Sequence, residues 1–292
     1  MSDIDFIMRS LDSIGLKASS GLSARTFKQD YLMESSEEIM RLERKTKEED
    51  LMRQALWAGI APGMRVIDVG CGPGKSTALL HRLAQPGGAA VGVDVSDSRI
   101  GYARQHYGKE GIEFVLSSVT ESLEALGFFD FVWIRFLLEY FREEAFDIVA
   151  NLHGILKPGG ILCLIDLDYN CLSHFPMPER LSKTLFELMM ALETCSNFDP
   201  FAGRRLYHHL YRLGCRSIRM DLHPHHLIYG ELGDIDATNW MMKGQVAAKR
   251  AAYSFGMYPG GLEEFLQDFR AFFEDPARFT YTPLICAVGV KQ

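Results

Sequence analysis

The chain has 292 residues, 47% of them apolar and 24% charged, and a net charge of −7. This is the make-up of an ordinary globular protein, long enough to bury a core without disulfide or metal staples. The acidic balance, with no basic stripe, weighs against nucleic acid as a partner, and no stretch approaches the roughly 18 apolar residues of a membrane span.

The six cysteines, Cys71, Cys163, Cys171, Cys195, Cys215 and Cys286, form no CxxC, and the nearest two stand eight positions apart. That is neither a zinc nor a redox spacing, and scattered thiols fit a reducing compartment. The opening MSDIDFIMRSLDSIG sets Asp3, Asp5, Arg9 and Asp12 among its apolar residues, which no signal-peptide core tolerates. A cytoplasmic location is expected.

The first thirty or so residues look loosely organised around Ser19, Ser20, Gly21 and Ser23. Ser35 with Glu38 three residues later starts a helix through a capping box. Ile39 and Leu42, then Met52, Leu56 and Trp57, recur near helical spacing, and Gly59 with Pro62-Gly63 stops the run. The charges from Glu43 to Asp50 read as a solvated face. A helical cap over residues 1–58 is expected, followed by one large domain over 59–292.

From Met64 the period changes. MRVIDVG is a short β-branched run ending in glycine, which predicts a buried strand. STALLHRLAQ predicts a helix, AAVGVDVS a second strand, DSRIGYARQHYG a helix and IEFVLSSV a third strand. FDFVWIRF predicts a fourth strand, REEAFDIVANLHGIL a helix, and the turn KPGG leads to a fifth strand, ILCLIDLDY. This alternation predicts an α/β domain with a doubly wound parallel sheet and helices on both faces. After Asp168 it pauses. Helices are expected over about 175–213 and 235–273, with strands at SIRMDLHPHHLIYG and YTPLICAVGVK. The inserted helices fall where the binding crevice of a parallel sheet would be covered.

The loop VIDVGCGPGKST, residues 66–77, can be read as three kinds of ligand turn. A P-loop needs glycine five positions before Gly74, where Val69 stands. Lys75 and Ser76 then read as exposed residues of a first helical turn. A dinucleotide fingerprint needs a third glycine where Lys75 stands. The context still favours an adenosine-bearing ligand: a strand before, a helix after, and Asp94 ending the next strand, where a ribose hydroxyl pair would be held. Asp68, inside the first strand, would repel a phosphate and suit an ammonium group. It could equally bond the loop's own backbone amides, and the two roles can coexist.

These blocks resemble known ones. VIDVGCGPG resembles motif I of the class I S-adenosylmethionine-dependent methyltransferases. VGVDVSDSRI, FDFVWIRFLLEY and LKPGGILCLIDLDY resemble the family's following strands, in the right order over residues 64–169. The resemblance implies a Rossmann-like seven-stranded sheet with an antiparallel last strand. It implies that Gly70, Cys71 and Gly72 admit the methionine part and ribose of S-adenosylmethionine, that Asp94 accepts both ribose hydroxyls, and that Val95 and Val119 pack on the adenine. Arg135 and Phe136 would lie under the methionine moiety, and Tyr31 would close over the cofactor. Ser118 stands where many relatives place an aspartate for the adenine amino group, and a serine oxygen can accept the same bond. Arg99 is either a cofactor contact or an exposed helix residue.

The reaction the resemblance implies needs a nucleophile held in line with the methyl–sulfur bond, so orientation supplies much of the rate. S-adenosylhomocysteine would be the product. Phe136, Tyr140 and Phe141 are candidates for cation–π stabilisation of the sulfonium. Candidate bases are His174, Asp166 and Asp168. Glu139 either orients substrate or anchors a loop. His223-Pro-His225-His226 has no metal-site pattern: Pro224 breaks regular geometry and no carboxylate is adjacent, so no metal is expected. Met189, Met190, Trp240, Met241, Met242 and Tyr253 would make an adaptable apolar pocket for a small or mid-sized organic acceptor, although core packing explains any one of them. The attacking atom, whether oxygen, nitrogen or carbon, and the oligomeric state are open. The competing readings are a non-catalytic S-adenosylmethionine-binding sensor or assembly protein, a nicotinamide oxidoreductase, and an RNA or protein methyltransferase.

Overall fold

A computed structural model describes Ile39, Leu42, Glu43 and residues 47–251 and 253–292, the side chains of 234, 235 and 238 excepted. The chain divides into two units, Met1–Leu32 and Met33–Gln292, and every described residue belongs to the second. The capping-box pair Ser35 and Glu38, and Tyr31, lie outside the described residues.

Helix α1 (Glu48–Ala58) ends where the sequence predicts: Gly59 takes the left-handed conformation at φ 104° and its N–H caps the carbonyls of Ala55 and Leu56. Then come β1 (Arg65–Val69), α2 (Lys75–Leu83), β2 (Ala89–Asp94), α3 (Asp97–Tyr107), β3 (Ile112–Leu116), β4 (Phe129–Arg135), α4 (Ala145–Gly154) and β5 (Leu156–Leu167). The alternation is the predicted one, with one difference. Lys157 to Gly160 do not form a separate turn; they run inside β5. Phe129 pairs with Leu156 and Phe131 with Ile161, so the register shifts between them. Gly159, at φ 80°, absorbs the extra length as a bulge that only glycine adopts without strain.

Beyond β5 lie β6 (His174–Phe175), α5 (Glu179–Cys195), α6 (Ala202–Arg212), β7 (Arg216–Tyr229), α7 (Asp234–Arg250), α8 (Gly261–Glu274) and β8 (Phe279–Val290). Strands β3-β2-β1-β4-β5 are parallel neighbours. Strand β8 runs antiparallel to β5, and β7 antiparallel to β8 along its whole length. The two-residue β6 pairs with Phe279 and Thr280, while β5 uses Leu284 to Val290. Strands β5 and β6 therefore lie end to end along one edge of β8. Eight strands among the described residues fill seven columns, with the antiparallel last strand the resemblance implies.

Side-chain alternation sorts the sheet into two faces. Ile67, Val69, Val132, Ile134, Leu162 and Leu164 point to the face covered by α4 and α6. Val66, Phe131, Trp133, Cys163 and Ile165 point to the face covered by α1 and α2. Helix α6, expected with the insertion, sits on the sheet: Leu206 and Leu210 share its core with Ile148 of α4. Helices α5, α7 and α8 build a separate core from Leu188, Met189, Trp240, Phe265, Phe269 and Phe273. Met190, Met241 and Tyr253 pack against it, so these residues are first of all the interior of a helical layer. Among the described residues no helix is long and apolar enough to cross a membrane.

Candidate cofactor site

The sheet order reverses direction between β1 and β4, and such a switch point opens a crevice at the carboxyl ends of the strands. The glycine loop lies there. Its first two amides, of Gly70 and Cys71, both donate to the Val93 carbonyl at 2.8 and 3.0 Å, which folds the loop over the end of β2. Gly74 is left-handed at φ 96°, and a Cβ on it would stand 2.8 Å from the Ala103 methyl and 2.9 Å from the Phe114 ring, so only glycine closes this turn against α3. Gly72 differs. It is also left-handed, at φ 54°, but the nearest atom a Cβ would meet is the Leu42 side chain at 3.9 Å, which leaves room for another group to approach the backbone.

Asp94 ends β2 and is 6% exposed. Its Oδ2 accepts the Gly72 N–H at 2.9 Å, and its Oδ1 accepts the Ser96 N–H at 3.0 Å. Each carboxylate oxygen has two acceptor positions, so these two amides take one on each and leave the second to another donor. Arg99 is not an exposed helix residue. It is buried, with Nη1 3.6 Å from Asp94 Oδ1. Ser96 caps α3 by accepting the Arg99 N–H, so one serine fixes both the carboxylate and the helix that brings the arginine.

Asp68 is buried, and its Oδ2 accepts from the hydroxyls of Ser76 at 2.6 Å and Thr77 at 2.7 Å. Its partners are thus the hydroxyls of the GKST tail and not the loop's amides. The sequence reading of that tail needs correcting in the same way. Ser76 is a ligand of Asp68, and the half-buried Lys75 donates to the Glu43 carbonyl at 2.9 Å. Burial pushes the Asp68 carboxyl up to about 6; the two hydroxyls and Arg135 pull it down, and Asp94 adds to the rise. Burial likewise drives the Cys71 thiol well above its ordinary range, with Asp68 and Asp94 adding to it.

Arg135 points to the same face as Asp68. Its Nε donates to Gln54 of α1 at 3.1 Å, its guanidinium lies 4.1 Å from the centre of the Phe136 ring, and burial lowers its pKa to about 10. Phe136 is left-handed at φ 57°, a conformation that costs a bulky residue of order 1–3 kcal/mol and clusters at functional sites. The bend turns its ring to within 4.8 Å of the His225 ring.

On the other face of the strand ends, Asp166 is fully buried and its oxygens accept the N–H groups of Leu167 at 2.9 Å and Glu139 at 3.1 Å. Burial and the neighbouring Glu139 carboxylate raise its pKa well above the ordinary range. Glu139, on the 3-10 turn Leu138–Tyr140, accepts from Asn170 Nδ2 at 2.8 Å, and its carbonyl accepts the Asp199 N–H at 2.7 Å. This network ties the exit of β4 to the end of β5. Asp168 instead holds Arg204 of α6, at 2.8 Å.

The adenine-side residues are less concentrated. Val119 is buried and Val95 is 57% exposed. Ser118 turns its hydroxyl to Thr120 at 2.7 Å.

His174 is not at the strand ends. It pairs with Thr280, five residues along β8 from the partner of Asp166, or about 17 Å at strand rise. Its Nε2 donates to the Cys171 carbonyl at 3.1 Å and its Nδ1 accepts from Thr280 Oγ1 at 2.9 Å. Burial lowers it to about 4. With both nitrogens engaged it is a strut of the helical layer. His223 does have an adjacent carboxylate: two positions apart on a strand share a face, and Asp221 Oδ2 lies 2.6 Å from His223 Nε2. Among the described residues no three His, Cys, Asp or Glu side chains gather as a metal site would require.

Sequence reasoning missed Gln54, Thr77, Ser96 and Asn170, the groups that hold the named residues in place. Only Ser96 carried a signal, as a serine directly before a helix.

Residues 67–164 match the family described as "Methyltransferase domain". An uncharacterized methyltransferase of Synechocystis sp. is 34% identical over 129 residues, 44% of this chain and 58% of that protein. A ubiquinone biosynthesis O-methyltransferase of Pseudomonas aeruginosa is 31% identical over 116 residues, 39% of this chain and 48% of that protein. The chain thus spans about half the length of these curated relatives. The crystal structure of the YcgJ protein from Bacillus subtilis superposes with a TM-score of 0.56 at 16% identity, over 84% of this chain and 99% of that one, a likeness of fold. Matched residues, strand order and glycine loop agree: residues 67–164 match a methyltransferase domain, carried on the fold that such domains share.

Proposed function

We propose that the protein binds S-adenosylmethionine at the glycine loop and transfers its methyl group to a small or mid-sized organic acceptor. The observation that carries this reading is the pairing of two carboxylates around an open glycine. Asp94 has a second acceptor position on each oxygen beside Gly72, and Asp68 sits eight residues from Ser76, its hydroxyl partner, at the root of the same loop. A vicinal diol fits the first, and an ammonium group fits the second. A pyrophosphate fits neither, because two buried carboxylates would repel it.

When bound, the cofactor supplies an electrophilic methyl on a sulfonium, and the protein's own groups bind, orient and keep water out. Gly70, Cys71 and Gly72 let the backbone approach. Asp94, Val95, Ser118, Val119 and Arg99 form the nucleoside side. Arg135 and Phe136 floor the amino-acid side. Glu139 and Asp166 act as a positioning pair: an acid driven towards its neutral form and locked to two backbone amides fixes the turn after Phe136 and does not reach for a substrate proton. The apolar side chains of the helical layer support an organic acceptor, as does the name of the quinone-biosynthesis relative.

The test is calorimetric titration with S-adenosylhomocysteine and, separately, NAD, followed by transfer of labelled methyl groups to small-molecule extract fractions. Micromolar S-adenosylhomocysteine binding with label transfer is expected. Binding of NAD alone would sink the reading.

A further inference from the structure

Among the described residues, the helical layer holds two cations with no ion-pair partner. Arg278, just before β8, is 1% exposed. Its Nε donates to the Phe273 carbonyl at 3.0 Å, but Nη1 and Nη2 are buried and find no hydrogen-bond partner among the described residues. The same holds for Lys243 Nζ and for the indole N–H of the 1%-exposed Trp240. All four are donor atoms.

They belong to one neighbourhood. Lys243 Nζ lies 4.7 Å from the centre of the Trp240 ring, Trp240 stacks on Phe273 at 4.7 Å, and the Arg278 guanidinium is 6.0 Å from the Phe273 ring. His174 touches both rings and feels both cations. It cannot serve as their acceptor, since both its nitrogens are engaged. Asp236 and Asp275 act on Arg278 from a distance, and neither forms an ion pair with it among the described residues.

Burying an unpaired cation is costly, by several kcal/mol even after relaxation. A neighbourhood of buried donors on two cations and an indole, with no acceptor among them, fits an oxyanion. Ring contacts link it to the proposed methyl-transfer centre. Phe136 meets His225 at 4.8 Å, His225 meets His226 at 4.4 Å, and His226 meets Trp240 at 5.3 Å. Three ring contacts thus run from the floor of the cofactor site to the cations.

We propose that Arg278, Lys243 and the Trp240 indole form an oxyanion subsite, and that the methyl acceptor is an anionic organic molecule whose carboxylate or phosphate is held there while its reactive atom lies near Phe136. The acceptor assignment rests on the methyltransferase reading; the anion site does not.

The full chain is tested by thermal denaturation with inorganic phosphate, with acetate, and with chloride at matched ionic strength. A saturable rise of about 2–4 °C over chloride is expected at ten times the dissociation constant. A response to phosphate alone assigns a phosphate-bearing acceptor, and a response to acetate alone a carboxylate. Arg278→Met and Lys243→Met should fold without loss of stability, because a methionine removes an unpaired buried charge, and should lose the anion-dependent shift. No shift in the parent chain, or a shift kept in both variants, overturns the subsite; Lys243→Met, at a half-buried position, keeps the test open should Arg278→Met not fold. S-adenosylhomocysteine binding, measured on the same samples, should be unchanged. An anion response without it would leave the subsite standing and remove the methyltransferase reading.

Discussion

Binding of S-adenosylhomocysteine is expected to strengthen as the pH rises through 6, with Asp68 as the cause. In the free protein burial raises this carboxyl from 3.8 to about 6. A raised carboxyl pKa means that the folded state prefers the protonated form. Its contribution to stability is complete below about 3.8 and is lost as the pH climbs to about 6, a loss of about 3 kcal/mol. An incoming ammonium reverses the preference, since only the ionised acid attracts it. About a tenth of Asp68 is ionised at pH 5 and about nine tenths at pH 7, so the dissociation constant should be about tenfold weaker at pH 5, with close to one proton released per ligand bound. The assay is calorimetry from pH 5 to 7.5 in two buffers of different ionisation enthalpy, on the parent chain and on Asp68→Asn. The asparagine can still accept from Ser76 and Thr77 but cannot titrate, so its affinity should be weaker at pH 7 and flat with pH. A parent affinity constant within twofold across the range, or a slope that survives in Asp68→Asn, would refute the reasoning.

Asp94→Ala should weaken S-adenosylhomocysteine binding more than tenfold, because two charge-assisted bonds are lost, and it should also destabilise the free protein by taking from the buried Arg99 the carboxylate 3.6 Å away; calorimetry and urea unfolding read the two effects. Gly74→Ala should cost more than about 2 kcal/mol in denaturant unfolding, since a methyl would meet Ala103 and Phe114 in a left-handed backbone. A transition within 0.5 kcal/mol of the parent's, roughly the spread of harmless surface changes, would show that the loop yields. Asp166→Asn should match the parent within about 1 kcal/mol at low pH, where the acid is protonated in the folded and the unfolded chain alike, and should be the more stable at pH 7, where the unfolded acid ionises and the amide does not. It should also flatten the parent's decline in stability as the pH rises through the raised pKa of Asp166. An unchanged pH profile would show the acid to be ionised.

Strands β1 to β5 were legible because buried parallel strands are short β-branched runs, and the helices between them carry their own periodicity. Strand β6 was not: two residues hold no period, and His174 and Phe175 are extended only because β8 offers them Thr280 and Phe279. That also explains why His174 read as a base. Eight positions after Asp166 it is near in sequence, but the chain leaves the strand ends and returns lower on the same neighbour. In the site, Asp94 and the glycines were legible because their roles are set by backbone shape. Gln54 and Asn170 were not, because their partners Arg135 and Glu139 lie 81 and 31 residues away, a separation at which no local pattern survives. Arg278 and Lys243 gave no signal at all. What marks them is that Arg278 Nη1 and Nη2 and Lys243 Nζ find no hydrogen-bond partner among the described residues, which only a packed interior reveals.

Strands β5 and β6 abut along one edge of β8, and the join divides the molecule's labour. From Leu284 to Val290, β8 completes the sheet that carries the glycine loop; at its start, Phe279 and Thr280, the same strand meets the helical layer and its buried cations. The two are joined by one continuous ladder, so the cofactor half can stay constant while the helices hung on the far end are replaced or reshaped. Selection for a new acceptor can then act on the far segment, with cofactor affinity left untouched.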